Sequence, residues 1–315
     1  MSKPFILFSD GFDAKLFSDF SQSGEFEIHP KSKVSRDELL SLGDKINGLV
    51  VRSATTVDQE LINHCPNLKY VIRAGEGTDN IDKRYCQDRG VKVSNTPGAN
   101  SNSAAEHAIA LIFTILRKTA FAHQSMGQGK WEKNLFMGNE LWKKKVGFVG
   151  FGRIGKIVAK RISGFEPSIS FYDPFIESSI EPNWEKTTIE SIFKDCDIIS
   201  VHTPLMDSTK NLIDSKLISL MKKDAILINA ARGGIVNEDD LLDALEAKSI
   251  KGAGLDVYAS EPLDENSKFR SLDNVVLSPH LGASTEEAQV RVGMMAAQQL
   301  REFFLNEKLI NEVSA

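Results

Sequence analysis

Gly147-Phe-Val-Gly-Phe-Gly-Arg-Ile-Gly155 sets three glycines, Gly150, Gly152 and Gly155, in the order Gly-x-Gly-x-x-Gly. They stand directly after an apolar strand pattern and before the helical pattern Lys156–Ile162. In that context Gly150 permits a tight turn, Gly152 lets backbone approach a pyrophosphate, and Gly155 lets helix pack on strand. The helix then offers unpaired N–H groups to the phosphates. Asp173 closes the next strand, Phe171-Tyr-Asp-Pro174, about twenty residues on, where an acid accepts hydrogen bonds from ribose hydroxyls. A carboxylate there repels a 2′-phosphate, so the combination favours NAD over NADP. The plainer alternatives are a glycine turn without ligand and an acid that caps the turn before Pro174.

On either side of this stretch, short β-branched runs alternate with amphipathic ones, the pattern of parallel βαβ units in an α/β fold. The block that opens at Val146 predicts further strands at Ser170–Tyr172, Ile198–Val201, Ala225–Asn229, Gly254–Val257 and Val275–Ser278. Their near-continuous apolar character calls for a sheet covered on both faces. An earlier block predicts strands at Phe5–Phe8, Phe26–His29, Leu49–Val51, Tyr70–Arg73 and Val91–Ser94. Ser35 with Glu38 and Ser103 with Glu106 stand at capping-box spacing, the second pair opening a bridging helix that runs to about Lys118. The polar stretch Lys118–Lys133 reads as a loop. A helix from about Thr285 to Asn306 is long enough to return to the first block. That makes the first domain discontinuous, residues 1–99 with 286–315, around a second domain of residues 100–285.

The length agrees: 315 residues at roughly 150 per domain give two domains. A formal charge of −5 with basic residues spread along the chain argues against nucleic acid or anionic membrane as a general partner. Hydrophobic content of 41% is ordinary for a globular protein and argues against disorder. Cys65, Cys86 and Cys196 are too widely spaced for a zinc site and too few for a disulfide framework, so no metal is expected and a reducing cytoplasm fits. The N-terminal apolar run is too short for a secretory signal, and no stretch is long enough to span a bilayer.

Three further side chains stand at or just beyond predicted strand ends, the edge that faces the ligand crevice in open α/β sheets. They are Arg232 in Asn229-Ala-Ala-Arg-Gly-Gly234, Glu261 in Ser260-Glu-Pro262 and His280 in Ser278-Pro-His-Leu-Gly282. All three could converge on a nicotinamide. Taken singly, each has an ordinary alternative: a solvated turn arginine, a loop glutamate before proline, a hydrogen-bonded structural histidine.

The chain resembles the D-isomer-specific 2-hydroxyacid dehydrogenase family. The resemblance is carried, in the family's order, by Val51-Arg-Ser-Ala-Thr55, Arg73-Ala-Gly-Glu-Gly77, Asp79-Asn-Ile-Asp82, Asn95-Thr-Pro97, Ser103-Ala-Ala-Glu106, Lys130-Trp-Glu132, Gly150–Gly155, Val201-His-Thr-Pro-Leu205, Asn229–Gly234, Leu255-Asp-Val257 and Ser278-Pro-His-Leu-Gly-Ala-Ser-Thr285. It implies two Rossmann-like/flavodoxin-like parallel-sheet domains with a cleft between them, the discontinuous one binding substrate and the other NAD. It also implies that Arg232 binds the substrate carboxylate and polarises the carbonyl, and that His280 exchanges the hydroxyl proton. Glu261 would orient that imidazole and favour its protonated form. Backbone at Gly75, Glu76 and Gly77 would grip the carboxylate, and Arg52, Arg73 and Asn100 would meet the distal end of the substrate. Arg153 and Ile154 would follow the pyrophosphate, Thr203 and Pro204 wall the adenosine side, and Ala230 with Asp256 meet the nicotinamide carboxamide. Asp256 has an alternative as a strand-end acid satisfied by turn N–H groups. Gly282 and Ala283 complete the expected cofactor contacts.

Within the family the motifs are most like those of members that oxidise 3-phospho-D-glycerate toward serine. Reduction of glyoxylate or hydroxypyruvate, or action on a sulfonated lactate, is the alternative, and an NADH-sensing corepressor-like role a more distant one. Two departures bear on the distal substituent. Thr56 stands near where such members often carry lysine, and Glu76 puts an acid in the carboxylate loop. Lys130 and Lys133 either compensate, from a neighbouring subunit, or are simply solvated. The resemblance further implies a homodimer built on the apolar helix Ala108–Leu116, which would look similar if merely buried within one chain. The short tail after the last helix predicts no regulatory domain.

Overall fold

The chain folds into two compact units, Met1–Asn100 with Ala283–Ala315, and Ser101–Gly282. The computed structural model describes residues 3–178 and 181–314. In the first unit, strands β1 (Phe5–Phe8), β2 (Glu27–Ile28), β3 (Gly48–Val51), β4 (Tyr70–Arg73) and β5 (Lys92–Asn95) alternate with helices α1 (Ala14–Gln22), α2 (Arg36–Ser41), α3 (Gln59–His64) and α4 (Lys83–Asp88). All pairings are parallel and the order is β2-β1-β3-β4-β5. This flavodoxin-like order changes direction between β1 and β3, so the loops after those two strands flank a switch point.

The second unit opens with α5 (Ser101–Arg117) and α6 (Thr119–Gly127). It continues through β6 (Lys145–Val149), α7 (Arg153–Ile162), β7 (Ser168–Tyr172), β8 (Trp184–Lys186), α8 (Ile189–Asp195), β9 (Ile198–Val201), α9 (Ser215–Ile218), β10 (Ile226–Asn229), α10 (Glu238–Glu246), β11 (Gly252–Leu255) and β12 (Val275–Leu277). Its parallel sheet runs β12-β11-β10-β9-β6-β7-β8. Counted from β6, six of these strands follow the Rossmann order 3-2-1-4-5-6, with the switch point between β6 and β9. Helix α11 (Glu286–Asn306), capped by the Thr285 side chain, returns the chain to the first unit.

Burial explains why these runs become parallel strands. Every residue of β3, β9, β10 and β11 is buried, as expected where helices cover both faces of a sheet. Close packing is achieved with small residues: a Cβ on Gly254 of β11 would sit 3.1 Å from Leu111 of α5, and one on Gly48 of β3 would sit 2.9 Å from the Phe304 ring of α11. Helix α11 is also fixed by Phe303, which stacks on buried Tyr70 with ring centroids 4.3 Å apart. Side-chain caps start the helices where the sequence places Ser, Thr, Asp or Asn, as at Ser35, whose hydroxyl accepts from Glu38 N–H at 3.2 Å.

Two local expectations fail, and one strand was not expected. Helix α5 begins at Ser101, so Ser103 is buried inside it instead of capping it, and Glu106 pairs with Arg161 at 2.8 Å. The polar stretch after α5 contains α6, because Lys118 adopts a left-handed φ of 53° that turns the chain back. Its apolar residues form no one-sided stripe, so periodicity gives no signal. Strand β8 is a short polar edge strand paired only to β7, without the apolar run that marks its neighbours.

Candidate active site

In the second unit the site is assembled from loops at the carboxyl ends of parallel strands. The loop after β6 turns at Gly150, whose φ is +86°. A Cβ there would lie 2.7 Å from the His202 carbonyl carbon and 2.8 Å from Thr203 Cγ2, so only glycine lets the loops after β6 and β9 meet. A Cβ on Gly155 would stand 2.9 Å from the Gly150 carbonyl oxygen, while one on Gly152 would meet open space. Helix α7 starts at Arg153 with Gly152 as its N-cap, a residue that supplies no side-chain cap. A helix start capped by a glycine, with open space where its side chain would be, is what a pyrophosphate requires.

Asp173, following β7, is buried. One carboxylate oxygen accepts the Phe151 N–H at 2.7 Å and the other the Phe175 N–H at 2.9 Å. These bonds fix the acid beside the glycine turn and leave further lone pairs on both oxygens. Thr203, after β9, is buried with its hydroxyl unpartnered by protein, and Pro204 is exposed. The glycine cradle, the glycine-capped helix start, the placed acid and the unpartnered hydroxyl together fit a dinucleotide.

The loops after β10, β11 and β12, three neighbouring strands, carry the candidate reactive groups. After β10, Ala230 leads into Arg232, whose Nη1 donates to the Ala231 carbonyl at 2.7 Å. The turn is tied by Asn229 Nδ2 donating to the Arg232 carbonyl at 3.0 Å, and Gly233 is obligatory because a Cβ there would collide with the Tyr258 carbonyl. After β11, Glu261 accepts the Tyr258 N–H at 3.1 Å through Oε1 and meets His280 Nδ1 at 2.7 Å through Oε2. A carboxylate only accepts, so the proton of that bond sits on Nδ1 and Nε2 is left for chemistry. Burial pushes the Glu261 carboxyl up, but the hydrogen bond and charge of His280 outweigh it and hold the group below its ordinary value.

His280 itself is in the left-handed region at φ +55°, with its N–H donating to the Asp256 carbonyl at 2.9 Å. The Asp256 side chain is almost fully buried. Its Oδ1 lies 3.0 Å from His107 Nε2 and accepts from Ser278 Oγ at 2.6 Å and Leu281 N–H at 2.8 Å, while Oδ2 accepts the Gly282 N–H at 2.9 Å. Burial alone would raise this carboxyl, yet the bonds from His107, Ser278 and Leu281 hold it below its ordinary value. Expected at the nicotinamide carboxamide, Asp256 is engaged by four protein donors and holds the loop that carries His280. His107 and Ser278 were not legible as members of this network. The available signal was one polar side chain within the apolar run of α5.

The first unit holds the remaining candidates. Arg73 ends β4, and a Cβ on Gly75 would collide with its guanidinium. The Gly75 N–H turns back to the Arg73 carbonyl at 2.8 Å. Glu76 turns its carboxylate onto the Gly98 N–H at 3.0 Å, and its carbonyl accepts from Asn95 Nδ2 at 2.6 Å. Gly77 follows, half-buried. Asn100 is buried with Oδ1 unpartnered by protein. Arg52 directly follows β3, and burial lowers the pKa of its guanidinium, partly offset by the Asp10 charge. Ala283 falls in this unit, apart from Gly282, and its carbonyl accepts from Gln289 Nε2 at 2.8 Å. Thr56 is exposed and its carbonyl accepts from Arg36 Nη1 at 2.7 Å, and Lys130 and Lys133 are exposed in the second unit.

A family model described as D-isomer specific 2-hydroxyacid dehydrogenase, NAD binding domain, matches residues 109–282. D-3-phosphoglycerate dehydrogenase of Archaeoglobus fulgidus is 42% identical over 90% of this chain and 54% of its own length. Hydroxypyruvate reductase of Thermotoga maritima is 40% identical over 95% of this chain and 98% of its own. The chain thus spans about half the length of the phosphoglycerate dehydrogenases it matches and nearly all of that reductase. Among solved structures, the TT0316 protein of Thermus thermophilus superposes with a TM-score of 0.90 at 28% identity, covering 98% of this chain and 99% of that one. With the Rossmann strand order and the glycine cradle already in place, these matches show that the chain belongs to the D-isomer specific 2-hydroxyacid dehydrogenase family.

Proposed function

We propose that the protein uses NAD to oxidise a D-2-hydroxy acid to the 2-oxo acid, with 3-phospho-D-glycerate as the substrate and serine formation as its purpose. The single observation that carries the reading is the Glu261–His280 pair at 2.7 Å, on loops at the same carboxyl edge of the sheet as the glycine turn. When bound, NAD supplies the acceptor for hydride leaving C2. His280 Nε2 takes the hydroxyl proton in oxidation and returns it in reduction, with Glu261 holding the ring through Nδ1. Arg232, its fork steadied at Ala231, binds the substrate carboxylate and polarises the carbonyl. Gly150, Gly152, Arg153, Ile154 and Gly155 hold the pyrophosphate, and Asp173 the adenosine ribose, which favours NAD over NADP. Backbone at Gly75–Gly77 takes the carboxylate, and Arg52, Arg73 and Asn100 the distal phosphate.

A second reading, reduction of hydroxypyruvate or glyoxylate, is favoured by Thr56 at a cation position and by the Asp10 charge that opposes Arg52. The discriminating assay is NADH oxidation over 3-phosphohydroxypyruvate, hydroxypyruvate and glyoxylate. A kcat/KM at least tenfold higher for the phosphorylated acid supports the first reading, and the reverse preference replaces it with the second.

We also infer a homodimer. The expected interface at Ala108–Leu116 is corrected, because its apolar residues Ala108, Leu111, Ile112, Ile115 and Leu116 are buried within the chain's own core. The segment from Met126 to Trp142 instead exposes Trp131, Leu135 and Met137, with Trp131 and Met137 each 81% exposed, and a second copy of this chain covers them. Analytical ultracentrifugation returning only monomer at micromolar concentration refutes that. No helix among the described residues is long and apolar enough to cross a membrane. All three cysteines are buried free thiols, which fits residence in the cytoplasm.

A further inference from the structure

The loop Arg52-Ser-Ala-Thr55 leaves β3 at the switch point of the first unit, next to the end of β1. Two side chains hold its two ends. Asp10, two residues past β1, accepts the Arg52 N–H at 2.6 Å and the Thr55 N–H at 3.1 Å on one oxygen, and the Thr55 hydroxyl on the other. Asn80 Nδ2 donates to the Arg52 carbonyl at 2.7 Å and to the Thr55 carbonyl at 2.6 Å. Thr55 Oγ1 also lies 2.9 Å from Ser9 Oγ. Both N–H groups and both carbonyls of the residues that bracket the loop are thereby satisfied from outside it. Ser53 and Ala54 at the tip remain exposed.

A turn this short is normally free to rearrange, because its backbone groups exchange readily with water. Here four hydrogen bonds from two side chains to the loop backbone, with a fifth to the Thr55 hydroxyl, remove that freedom, and the carboxylate bonds are of the stronger, charge-assisted kind. Asp10 is itself positioned: Gly11 N–H donates to the Ser32 carbonyl at 2.7 Å, and Val34 N–H to the Ser9 carbonyl at 3.0 Å. The loop sits where open α/β sheets present ligand-contacting backbone, and Arg52 at its base is one of the residues assigned above to the distal end of the substrate.

We propose that Asp10 and Asn80 are specificity-determining positioning residues: by clamping the Arg52–Thr55 loop they fix the contacts that discriminate what the substrate carries beyond C2. The inference rests on the dehydrogenase reading. Glyoxylate, a 2-oxo acid with nothing beyond C2, supplies the internal reference. Hydroxypyruvate and 3-phosphohydroxypyruvate supply the distal groups. In Asp10→Ala and Asn80→Ala, kcat/KM for whichever substituted acid the wild type prefers falls at least tenfold relative to that for glyoxylate, chiefly through KM. Asp10→Asn keeps the ratio within about threefold, because its carbonyl oxygen still accepts both N–H groups and its amide donates to Thr55 Oγ1.

Ratios that stay constant in both alanine variants overturn the proposal, as does an Asp10→Asn ratio as low as that of Asp10→Ala, which would assign the effect to charge and not to the clamp. If Asp10→Ala does not fold, Asn80→Ala and Asp10→Asn carry the same comparison. If the wild type reduces none of the three acids, the dehydrogenase reading falls separately. The clamp is then read from amide hydrogen exchange at Arg52 and Thr55. Undiminished protection in Asn80→Ala and in Asp10→Ala refutes it.

Discussion

His202 gives the sharpest quantitative test of the structure. It follows β9 against the glycine turn, its Nε2 lies 2.8 Å from Ser200 Oγ, and its ring stacks on Phe148 with centroids 5.8 Å apart. Burial pushes its pKa down from 6.5 to about 4. The unfolded chain therefore takes up a proton near pH 6.5 that the folded protein refuses until about pH 4. Stability is complete above the unfolded value and is lost as pH falls between the two. The difference amounts to about 2 kcal/mol at pH 5 and about 3 kcal/mol at pH 4, approaching roughly 3.4 kcal/mol well below pH 4. His202→Gln removes the titration while keeping a hydrogen-bonding group near Ser200. All three tryptophans, Trp131, Trp142 and Trp184, belong to the second unit, so intrinsic fluorescence follows the unfolding of that unit in urea. Between pH 7.5 and pH 5 the wild type should lose about 2 kcal/mol more than His202→Gln. Equal losses in the two proteins would show that His202 titrates alike in folded and unfolded chains, and the packing argument would fail.

Two further outcomes follow from the same site. Glu261→Gln keeps the shape of the group but removes its charge; a charge-assisted bond of about 1.5–3 kcal/mol, discounted because both side chains are over a third exposed, predicts a 10- to 30-fold fall in kcat with NADH affinity retained. Steady-state kinetics check this, and an unchanged kcat removes Glu261 from the mechanism. Gly150→Ala forces a side chain into a left-handed turn at about 1–2 kcal/mol and against the His202 backbone, so NADH binding measured by fluorescence titration should weaken at least tenfold. Gly164→Ala, whose Cβ meets nothing within 4 Å, is the control that should bind NADH as the wild type does.

What could be read from residues alone followed a physical rule. The apolar runs Ile198–Val201 and Ala225–Asn229 are long, uninterrupted and bounded by turn residues, and they appear as strands within a residue of the expected limits. Gly150, Asp173, Arg232, Glu261 and His280 were legible because parallel strands deliver their loops to one edge, so position after a strand already implies proximity. Strand order was not legible, nor were α6 and β8, whose formation depends on neighbours more than on their own periodicity. Least legible were the side-chain networks. His107 and Asp256 are 149 residues apart in the chain, and Asp10 and Arg52 are 42 apart. For Asp256 the alternative of a strand-end acid satisfied by turn N–H groups is the one the Leu281 and Gly282 bonds match, although which turn supplies them is not in the local residues; around Asp10 nothing signals that its carboxylate binds a distant backbone.

Such long-range capture recurs in a form that changes how a strand-end acid should be read. Asp10 after β1 holds the loop after β3, Asp173 after β7 holds the loop after β6, and Asp256 after β11 holds the loop after β12. In each case the captured loop belongs to an adjacent strand of the sheet. Parallel pairing brings one strand's end beside its neighbour's first unpaired N–H groups, and a carboxylate can accept several of them at once. Each burial of charge is offset by at least two backbone N–H bonds. The three differ in one respect. Asp173 and Asp256 receive an N–H on both oxygens, so an asparagine amide at either position would oppose one donor with another. Asp10 receives both N–H groups on one oxygen and a reversible hydroxyl on the other, so asparagine satisfies it. The negative charge is therefore structurally required beside the nucleotide turn and beneath His280, whereas at Asp10 hydrogen-bond geometry alone suffices.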